Sequence, residues 1–147
     1  EAELAVVIGR VCKDVPKERV NEVIFGYTLA NDVTCRELQK SDGQWARAKG
    51  FDTFCPIGPW IETDFVPGTQ RIFSTVNDEI RQDGTLDQMI FSVPQIIVFI
   101  SQVMTLLPGD VVNTGTPAGD GPLVARGSVV VGVDGLGQLT NKVSAKP

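Results

Sequence analysis

The most informative stretch of this chain is Glu1-Ala2-Glu3-Leu4-Ala5-Val6-Val7-Ile8-Gly9. Residues 4–8 are apolar without interruption, and a run rich in β-branched residues that a glycine closes predicts a strand buried on both faces. Residues two apart in a strand share a face, so Glu1 and Glu3 are expected to project side by side, about 6.6 Å apart. The sequence therefore predicts two neighbouring carboxylates at the mouth of a buried strand.

Similar apolar or alternating runs, separated by turn residues, predict a β-rich chain. Further strands are predicted at residues 27–30, 71–76, 80–82, 111–112 and 129–133, with an edge segment at 55–60. Residues 77–78 are predicted to form the turn of a hairpin. A short helix is expected from Pro16, ending before Gly26, and residues 41–50 are expected to form a loop.

Two further segments predict helices. The clearer one covers residues 93–106, with Ser92 as its cap and an apolar stripe that ends at Val103 and Met104. The other covers residues 33–39, with Asn31 and Asp32 as caps. Many short strands with few helices predict one β-rich α+β domain with a rolled or sandwiched sheet.

Composition excludes several classes of partner. The 147 residues carry a net charge of -5, with an isoelectric point near 4.6, so no basic surface is available for nucleic acid or an anionic membrane. No apolar stretch is long enough to cross a bilayer. Cys12, Cys35 and Cys55 match no disulfide framework or zinc motif, which predicts reduced thiols and a cytoplasmic location.

The chain contains no histidine. This excludes Ser-His-Asp and Cys-His catalysis within these residues and also excludes histidine metal ligands. Any chemistry that these residues carry must depend on carboxylates, lysine, backbone groups and a metal ion.

A third carboxylate, Asp32, follows the predicted strand at 27–30. At an effective dielectric constant near 20, Glu1 and Glu3 repel each other by roughly 2.5 kcal/mol, so a positive group is expected between them. Three carboxylates at strand ends form an oxygen-rich site suited to Mg²⁺ or Mn²⁺. The alternatives are a frayed, solvated strand end for the two glutamates and a plain helix cap for Asp32.

Several further residues are candidates for contacts with a substrate. Arg36 and Gln39 lie four and seven residues beyond Asp32, so the three side chains can share one helix face, although a solvated face with an Asp32–Arg36 ion pair is the alternative. Lys49, between two aromatic residues and beside a glycine, is either a surface charge or a lysine in a partly apolar pocket that lowers its pKa. Residues 114–119, Thr-Gly-Thr-Pro-Ala-Gly, form either an ordinary turn or a loop that offers hydroxyl and N–H groups to an anion.

Six stretches in order resemble the C-terminal catalytic domain of the fumarylacetoacetate hydrolase family. These stretches are EAELAVVIG, GYTLANDVTCRELQ, QWARAKGFDTFCPIGPWI, MIFSVPQII, TLLPGDVVNTGTPAG and GLGQLTNKV. They cover most of the chain, and their ordered combination is far more specific than any one of them. The departures, such as Asn77-Asp78 where the family commonly has Asn-Gly, touch none of the candidate ligands.

The resemblance implies a mixed β-sandwich roll with a few short helices, formed by a catalytic domain over residues 1–147 and usually assembled as a homodimer. It implies that Glu1, Glu3 and Asp32 hold Mg²⁺ or Mn²⁺. The family's upstream lid segment, which normally supplies a histidine and glutamate pair that activates water, is not among these residues.

The resemblance also assigns roles to the other candidates. Arg36 and Gln39 are expected to contact the substrate, Lys49 is expected to be the catalytic lysine, and Thr116 with Gly115 is expected to bind a carboxylate. The substrate that the family implies is a small oxo-acid.

The resulting hypothesis is divalent-metal-dependent cleavage of a carbon–carbon bond in an acylpyruvate or fumarylpyruvate, through an enolate stabilised by the metal and Lys49. Oxaloacetate decarboxylation and isomerisation of 2-hydroxyhepta-2,4-diene-1,7-dioate are alternatives on the same residues. A binding module that has the fold without its lid is the alternative from outside the enzymes.

Overall fold

Strand β1 (Ala2–Ile8) is an inner strand of the first of two sheets. All seven of its residues are buried, as its apolar run predicts. In this computed structural model, which describes residues 1–145, β1 pairs antiparallel with β2 (Ile24–Asn31) on one side and with β6 (Val111–Asn113) on the other. The edge strand β3 (Ile57–Glu62) pairs with β2 and gives the order β3-β2-β1-β6.

The second sheet has the order β5-β4-β7-β8, and its strand pairs are also antiparallel. Its strands are β4 (Arg71–Val76), β5 (Glu79–Thr85), β7 (Ser128–Val133) and β8 (Gly137–Lys142). The predicted hairpin at residues 77–78 is confirmed, and both turn residues have positive φ, at 50° and 67°. The predicted β-rich α+β fold is therefore confirmed, with antiparallel pairing throughout the described strands rather than the mixed pairing that the resemblance implied.

The main core lies between the two sheets, where β1 and β2 pack against β4 and β7. Large side chains buried there include Leu4, Val6, Leu29, Ile72, Val131 and Val133. Burial of each such side chain contributes roughly 1.5–3 kcal/mol to stability. Because side chains alternate along β1, Glu3 lies on the face opposite to Leu4 and Val6.

The longest helix, α3 (Val93–Val103), begins where the sequence predicts. Ser92 and Gln95 form a capping box at its start. The helix ends three residues earlier than predicted because Met104 is extended, and Val103 and Met104 at the end of the predicted stripe are exposed. No helix in residues 1–145 has the length and apolar character needed to span a membrane.

The prediction for residues 33–50 was wrong in two places. The helix expected at 33–39 is α1 (Arg36–Asp42), and the loop expected at 41–50 contains the short helix α2 (Ala46–Lys49). Asn31 belongs to β2, and no side chain caps the start of α1. Nor is any residue of α1 buried, so the segment has no apolar stripe that would have located its ends.

The expected helix after Pro16 is a single 3-10 segment, Lys17–Glu22, which ends before β2 begins at Ile24. The 3-10 segment packs against α3, and Val20 is its buried contact residue. This part of the chain lies outside the candidate site described below.

Candidate metal centre

The pairing of β1 with β2 brings the acidic residues together. The register places Ala2 opposite Asn31 and Glu3 opposite Ala30. One residue further along, the Asp32 N–H donates to the Glu1 carbonyl oxygen at 3.0 Å, so Glu1 lies opposite Asp32. Residues that lie opposite each other project to the same face of a sheet, and residues two apart share that face. All three side chains are therefore directed to one face.

One carboxylate oxygen from each of Glu1, Glu3 and Asp32 lies within 4.8 Å of the other two. Glu3 is buried, with 4% of its surface exposed, and the other two are partly buried. The sequence predicted that these three residues converge, and the structure brings them together. It does not place them in a frayed or solvated strand end, and Asp32 does not cap a helix.

Lys49 places a positive group beside Glu1 and Asp32, but it forms no ion pair with Glu3 and so does not bridge the two glutamates. Its ammonium Nζ lies 2.9 Å from Glu1 Oε2 and also contacts Asp32. Lys49 is the last residue of α2, and the Cys35 N–H donates to the Ala48 carbonyl at 2.9 Å, which ties α2 to the start of α1. The Trp45 ring centroid lies 5.9 Å from Nζ. The backbone and the aromatic ring together direct this lysine into the carboxylate cluster.

Arg36, the first residue of α1, joins the cluster from the other side. Its guanidinium pairs with Glu1 and with Asp120, and it donates to Gln39 Oε1 at 2.9 Å. The shared face predicted for Arg36 and Gln39 is thus present, but the alternative ion pair with Asp32 is not formed, because Asp32 pairs with Lys49. Asp120 was not predicted from the sequence, because its contact with Arg36 spans 84 positions in the chain.

The loop after β6 contacts the third carboxylate. The Gly115 N–H donates to Glu3 Oε2 at 2.8 Å, and the Thr114 hydroxyl donates to the Leu4 carbonyl at 2.9 Å. Gly115 has φ of 96°, a conformation that favours glycine. The N–H group that was expected to bind an external anion is therefore used by Glu3.

The local charges shift the pKa values of these groups in different directions. Burial opposes ionisation of Glu1, but hydrogen bonds from Lys49 and Arg36 outweigh burial and hold the pKa of Glu1 below its ordinary value. Burial raises the pKa of Glu3 to about 7, and the nearby Asp32 and Glu1 charges add to this, while the Gly115 N–H opposes it. Among the described residues, Glu3 forms no ion pair with a lysine or arginine.

Of the two alternatives for Lys49, the one in which a partly apolar pocket lowers its pKa was wrong. Burial does lower the pKa of the ammonium group, but the hydrogen bonds to Asp32 and Glu1 outweigh this effect, so the pKa lies above its ordinary value. The lysine is therefore a fixed cation in this structure, with two carboxylates around it.

This donor set fits a hard divalent cation. Glu1, Glu3 and Asp32 offer carboxylate oxygens at close range, which are the ligands that Mg²⁺ and Mn²⁺ prefer. The raised pKa of Glu3 reflects a buried carboxylate with too little positive charge nearby, and a cation between the three residues would remove that deficit.

Thr116 is also placed beside β1, but its hydroxyl is engaged within the fold. It donates to the Ala2 carbonyl at 2.8 Å and accepts from Gln82 Nε2 at 2.7 Å. Gln82 is buried on β5 of the second sheet, and it was not predicted from the sequence because three of its partners, Ala2, Thr116 and Pro117, lie more than 30 positions away.

A cavity of about 400 Å³ lies beside the loop at residues 114–118. Its lining includes Gly115 and Thr116, and the rest is mainly apolar, with Met89, Ile90 and Phe91. None of the three carboxylates lines this cavity. The candidate metal centre is therefore identified by its converging charged side chains and not by a large cavity.

Comparison with known proteins gives consistent matches over nearly the whole chain. The sequence model of the family described as "Fumarylacetoacetate (FAA) hydrolase C-terminal" matches residues 1–144. The protein Rv2993c of Mycobacterium tuberculosis is 50% identical over 99% of this chain and 56% of its own length. The chain spans between about half and two thirds of the length of the curated relatives that it matches.

Two solved structures illustrate the range of reactions among similar proteins. A 2-hydroxyhepta-2,4-diene-1,7-dioate isomerase from Mycobacterium marinum is 52% identical, with a TM-score of 0.98 over 99% of this chain and 58% of that one. A maleylpyruvate hydrolase from Sphingobium sp. SYK-6 is 37% identical, with a TM-score of 0.90 over 98% of this chain and 54% of that one.

Proposed function

The chain belongs to the fumarylacetoacetate hydrolase family, and on that premise we propose that it forms the metal-binding catalytic centre for cleavage of a carbon–carbon bond in a small 2-oxo acid of the acylpyruvate class. The observation that carries this proposal is the cluster of Glu1, Glu3 and Asp32 with the Lys49 ammonium among them. Such a cluster suits a substrate that is itself rich in oxygen atoms and becomes more negative during the reaction.

Glu1, Glu3 and Asp32 would hold Mg²⁺ or Mn²⁺. The bound cation would act as a Lewis acid that polarises the carbonyl oxygens of the substrate and neutralises their negative charge. The carboxylates themselves would fix the position of this charge at the end of β1.

Lys49 would stabilise the enolate that forms when the bond breaks. In hydrolysis, water adds to the distal carbonyl carbon, the carbon–carbon bond breaks, and its electron pair passes to the 2-oxo fragment as an enolate that then takes up a proton. An ammonium group held beside the reacting oxygens stabilises that charge at the point where it develops. Its raised pKa keeps Lys49 charged at neutral pH.

Arg36 and Gln39 would orient the substrate. Both lie on α1, and Arg36 already contacts a carboxylate through Glu1. A substrate carboxylate can take the place of that contact, because a guanidinium group binds carboxylates with two parallel hydrogen bonds. Thr116 and Gly115 would form the wall of the site on the side of β6, where the Gly115 N–H donates to Glu3.

A second candidate is isomerisation of a 2-hydroxydienoic diacid, which the 52% identity to a 2-hydroxyhepta-2,4-diene-1,7-dioate isomerase favours. In that reaction the 2-hydroxyl group gives up its proton to become a 2-oxo group, and a carbon further along the conjugated chain gains one. It needs no attacking water. Hydrolysis also needs a general base for water, a role that is not given above to Lys49, Arg36 or the three carboxylates.

The test is to assay the intact protein with Mg²⁺ or Mn²⁺ against four substrates: an acylpyruvate, fumarylpyruvate, 2-hydroxyhepta-2,4-diene-1,7-dioate and oxaloacetate. Turnover of an acylpyruvate that EDTA abolishes and Mn²⁺ restores would support the first candidate. Turnover of the dienoate alone would support the second. Turnover of oxaloacetate alone would make the protein a decarboxylase, and turnover of none would favour a binding module. Sedimentation of the same sample tests the homodimer, which remains a prediction.

A further inference from the structure

Gln82 is a buried polar residue that joins the two sheets beside the candidate centre. Only 1% of its surface is exposed, although it lies on β5, the edge strand of the second sheet. Burial of an amide is costly unless its hydrogen bonds are made within the protein. The hydrogen-bond partners of the Gln82 side chain therefore indicate its structural role.

The Gln82 amide uses its full hydrogen-bonding capacity. Its Oε1 accepts from the Ala2 N–H at 3.0 Å and from the Ser74 hydroxyl at 2.8 Å, while its Nε2 donates to Thr116 Oγ1 and to the Pro117 carbonyl, each at 2.7 Å. A backbone N–H can only donate and a carbonyl can only accept. Ala2 and Pro117 therefore fix which end of the amide faces each partner.

The hydrogen bond between Gln82 and the Ala2 N–H takes the place of pairing with a neighbouring strand. On this side of β1 the ladder with β6 pairs residues 5–7, and one further backbone bond follows, from the Thr114 N–H to the Leu4 carbonyl at 3.1 Å. Beyond that point side chains bond to β1: the Ala2 N–H donates to Gln82, and the Ala2 carbonyl accepts from Thr116. Without these side chains the first residues of β1 would have a free edge.

Ala2 is the residue between the two glutamates of the centre. The backbone position of Ala2 determines where the side chains of Glu1 and Glu3 leave the strand. Gln82 also bonds to the loop at residues 114–117, which carries the Gly115 N–H that donates to Glu3. One side chain from the second sheet thus fixes the carboxylate-bearing strand end and the loop that contacts it.

We infer that Gln82 is a positioning residue, which holds the end of β1 and the loop at residues 114–117 in register so that the three carboxylates can share one cation. The functional part of this inference rests on the proposed cation site. The geometric part, that Gln82 immobilises Ala2 and Gly115, does not depend on it. Residues that orient metal ligands typically change metal affinity by about 10- to 100-fold when they are replaced.

The test compares three variants of the intact protein: Gln82→Met, Gln82→Glu and Thr28→Val. Methionine has a similar size but no hydrogen bonds, whereas glutamate keeps acceptors for Ala2 and Ser74. Thr28 is the matched control, because it is equally buried and donates to the Trp60 carbonyl on the opposite side of β2. Circular dichroism and thermal unfolding first establish that each variant is folded at the temperature used.

Two measurements follow, amide hydrogen exchange of the metal-free proteins and titration with Mn²⁺. We expect Gln82→Met to exchange the Ala2 and Gly115 amides about tenfold faster or more and to bind Mn²⁺ about 10- to 100-fold more weakly. Gln82→Glu is expected to recover part of both losses, and Thr28→Val is expected to change neither, even where it lowers the melting temperature.

Unchanged exchange at Ala2 and Gly115 in a folded Gln82→Met protein would overturn the inference, as would equal Mn²⁺ affinity. If Gln82→Met does not fold, the Gly115 amide of Gln82→Glu decides the question, because a carboxylate cannot donate to Thr116 or Pro117, and unchanged exchange at Gly115 would overturn the inference. If the unaltered protein binds no Mn²⁺, the proposed function fails, while faster exchange in the Gln82 variants would still support the positioning role.

Discussion

The ammonium group of Lys49 lies 2.9 Å from Glu1 Oε2 and also contacts Asp32, so a single lysine bridges the two carboxylates that β1 and β2 place opposite each other. A divalent cation held by the same carboxylates would compete with the lysine for them. Two roles of Lys49 can therefore be distinguished. It is the counter-ion of the carboxylates when no metal is bound, and it would stabilise the negative charge of the reacting substrate.

Lys49→Met is expected to lower turnover by about 10²- to 10³-fold, the usual effect of removing one donor from a site where negative charge develops. Mn²⁺ affinity is expected to stay equal or to rise, because the ammonium no longer competes for Glu1 and Asp32. Steady-state kinetics and calorimetric titration measure the two effects separately.

The control for this variant is Lys17→Met, at an exposed position in the 3-10 segment. It removes the same charge without touching the centre and should leave both values unchanged. A Lys49→Met protein that keeps its turnover would contradict the role given to the lysine.

Asp120→Asn is expected to raise KM by up to about fivefold, with a smaller effect on kcat. Asp120 pairs with the same guanidinium nitrogen of Arg36 that pairs with Glu1, and an exposed ion pair of this kind contributes no more than about 1 kcal/mol. Asp83→Asn breaks a comparable exposed pair with Arg71 in the second sheet and serves as the control. Equal KM values for Asp120→Asn and the unaltered protein would show that Asp120 does not orient Arg36.

Mn²⁺ affinity is expected to increase as the pH rises through about 7. The pKa of Glu3 is raised to about 7 by burial and by the neighbouring acidic residues, and a carboxylate must lose its proton before it can bind a metal. Titrations at pH 6 and pH 8 in buffers of different ionisation enthalpy would reveal the proton that binding releases. An affinity that is the same at both pH values would contradict this expectation.

The same pKa predicts how stability depends on pH in the metal-free protein. In the folded state the pKa of Glu3 lies above its ordinary value of 4.5, so between about 4.5 and 7 the folded state binds more protons than the unfolded state. The contribution of Glu3 to stability is therefore lost as the pH rises through this window. Glu3→Gln cannot ionise, so its melting temperature is expected to exceed that of the unaltered protein by more at pH 8 than at pH 5. A difference that is independent of pH would contradict the assignment.

The strands and the three carboxylates could be predicted because local sequence determines both. The continuous apolar run of β1 indicates burial on both faces, and the spacing of Glu1 and Glu3 places them on one face of a strand. Asp32 could be added because it follows an apolar strand. Its position opposite Glu1 depends on strand register, which the sequence pattern left open.

The missed features depend on contacts between distant parts of the chain. Gln82 and Asp120 reach partners 80 and 84 positions away, and no local pattern distinguishes them from other polar residues. The boundaries of α1 were missed because the helix buries no residue and has no side-chain cap. The alternative of a lowered pKa for Lys49 was wrong because its two carboxylate partners outweigh its partial burial.

Glu1, Glu3 and Asp32 are proposed to hold one divalent cation, and calorimetric titration of the metal-free protein with Mn²⁺ detects its binding without an assay of turnover. One Mn²⁺ is expected to bind per chain, with an affinity that falls by more than about 100-fold in Asp32→Asn, because loss of a ligand should exceed the effect of changing an outer residue. Absence of Mn²⁺ binding in the unaltered protein, or equal affinity in a folded Asp32→Asn protein, would contradict it.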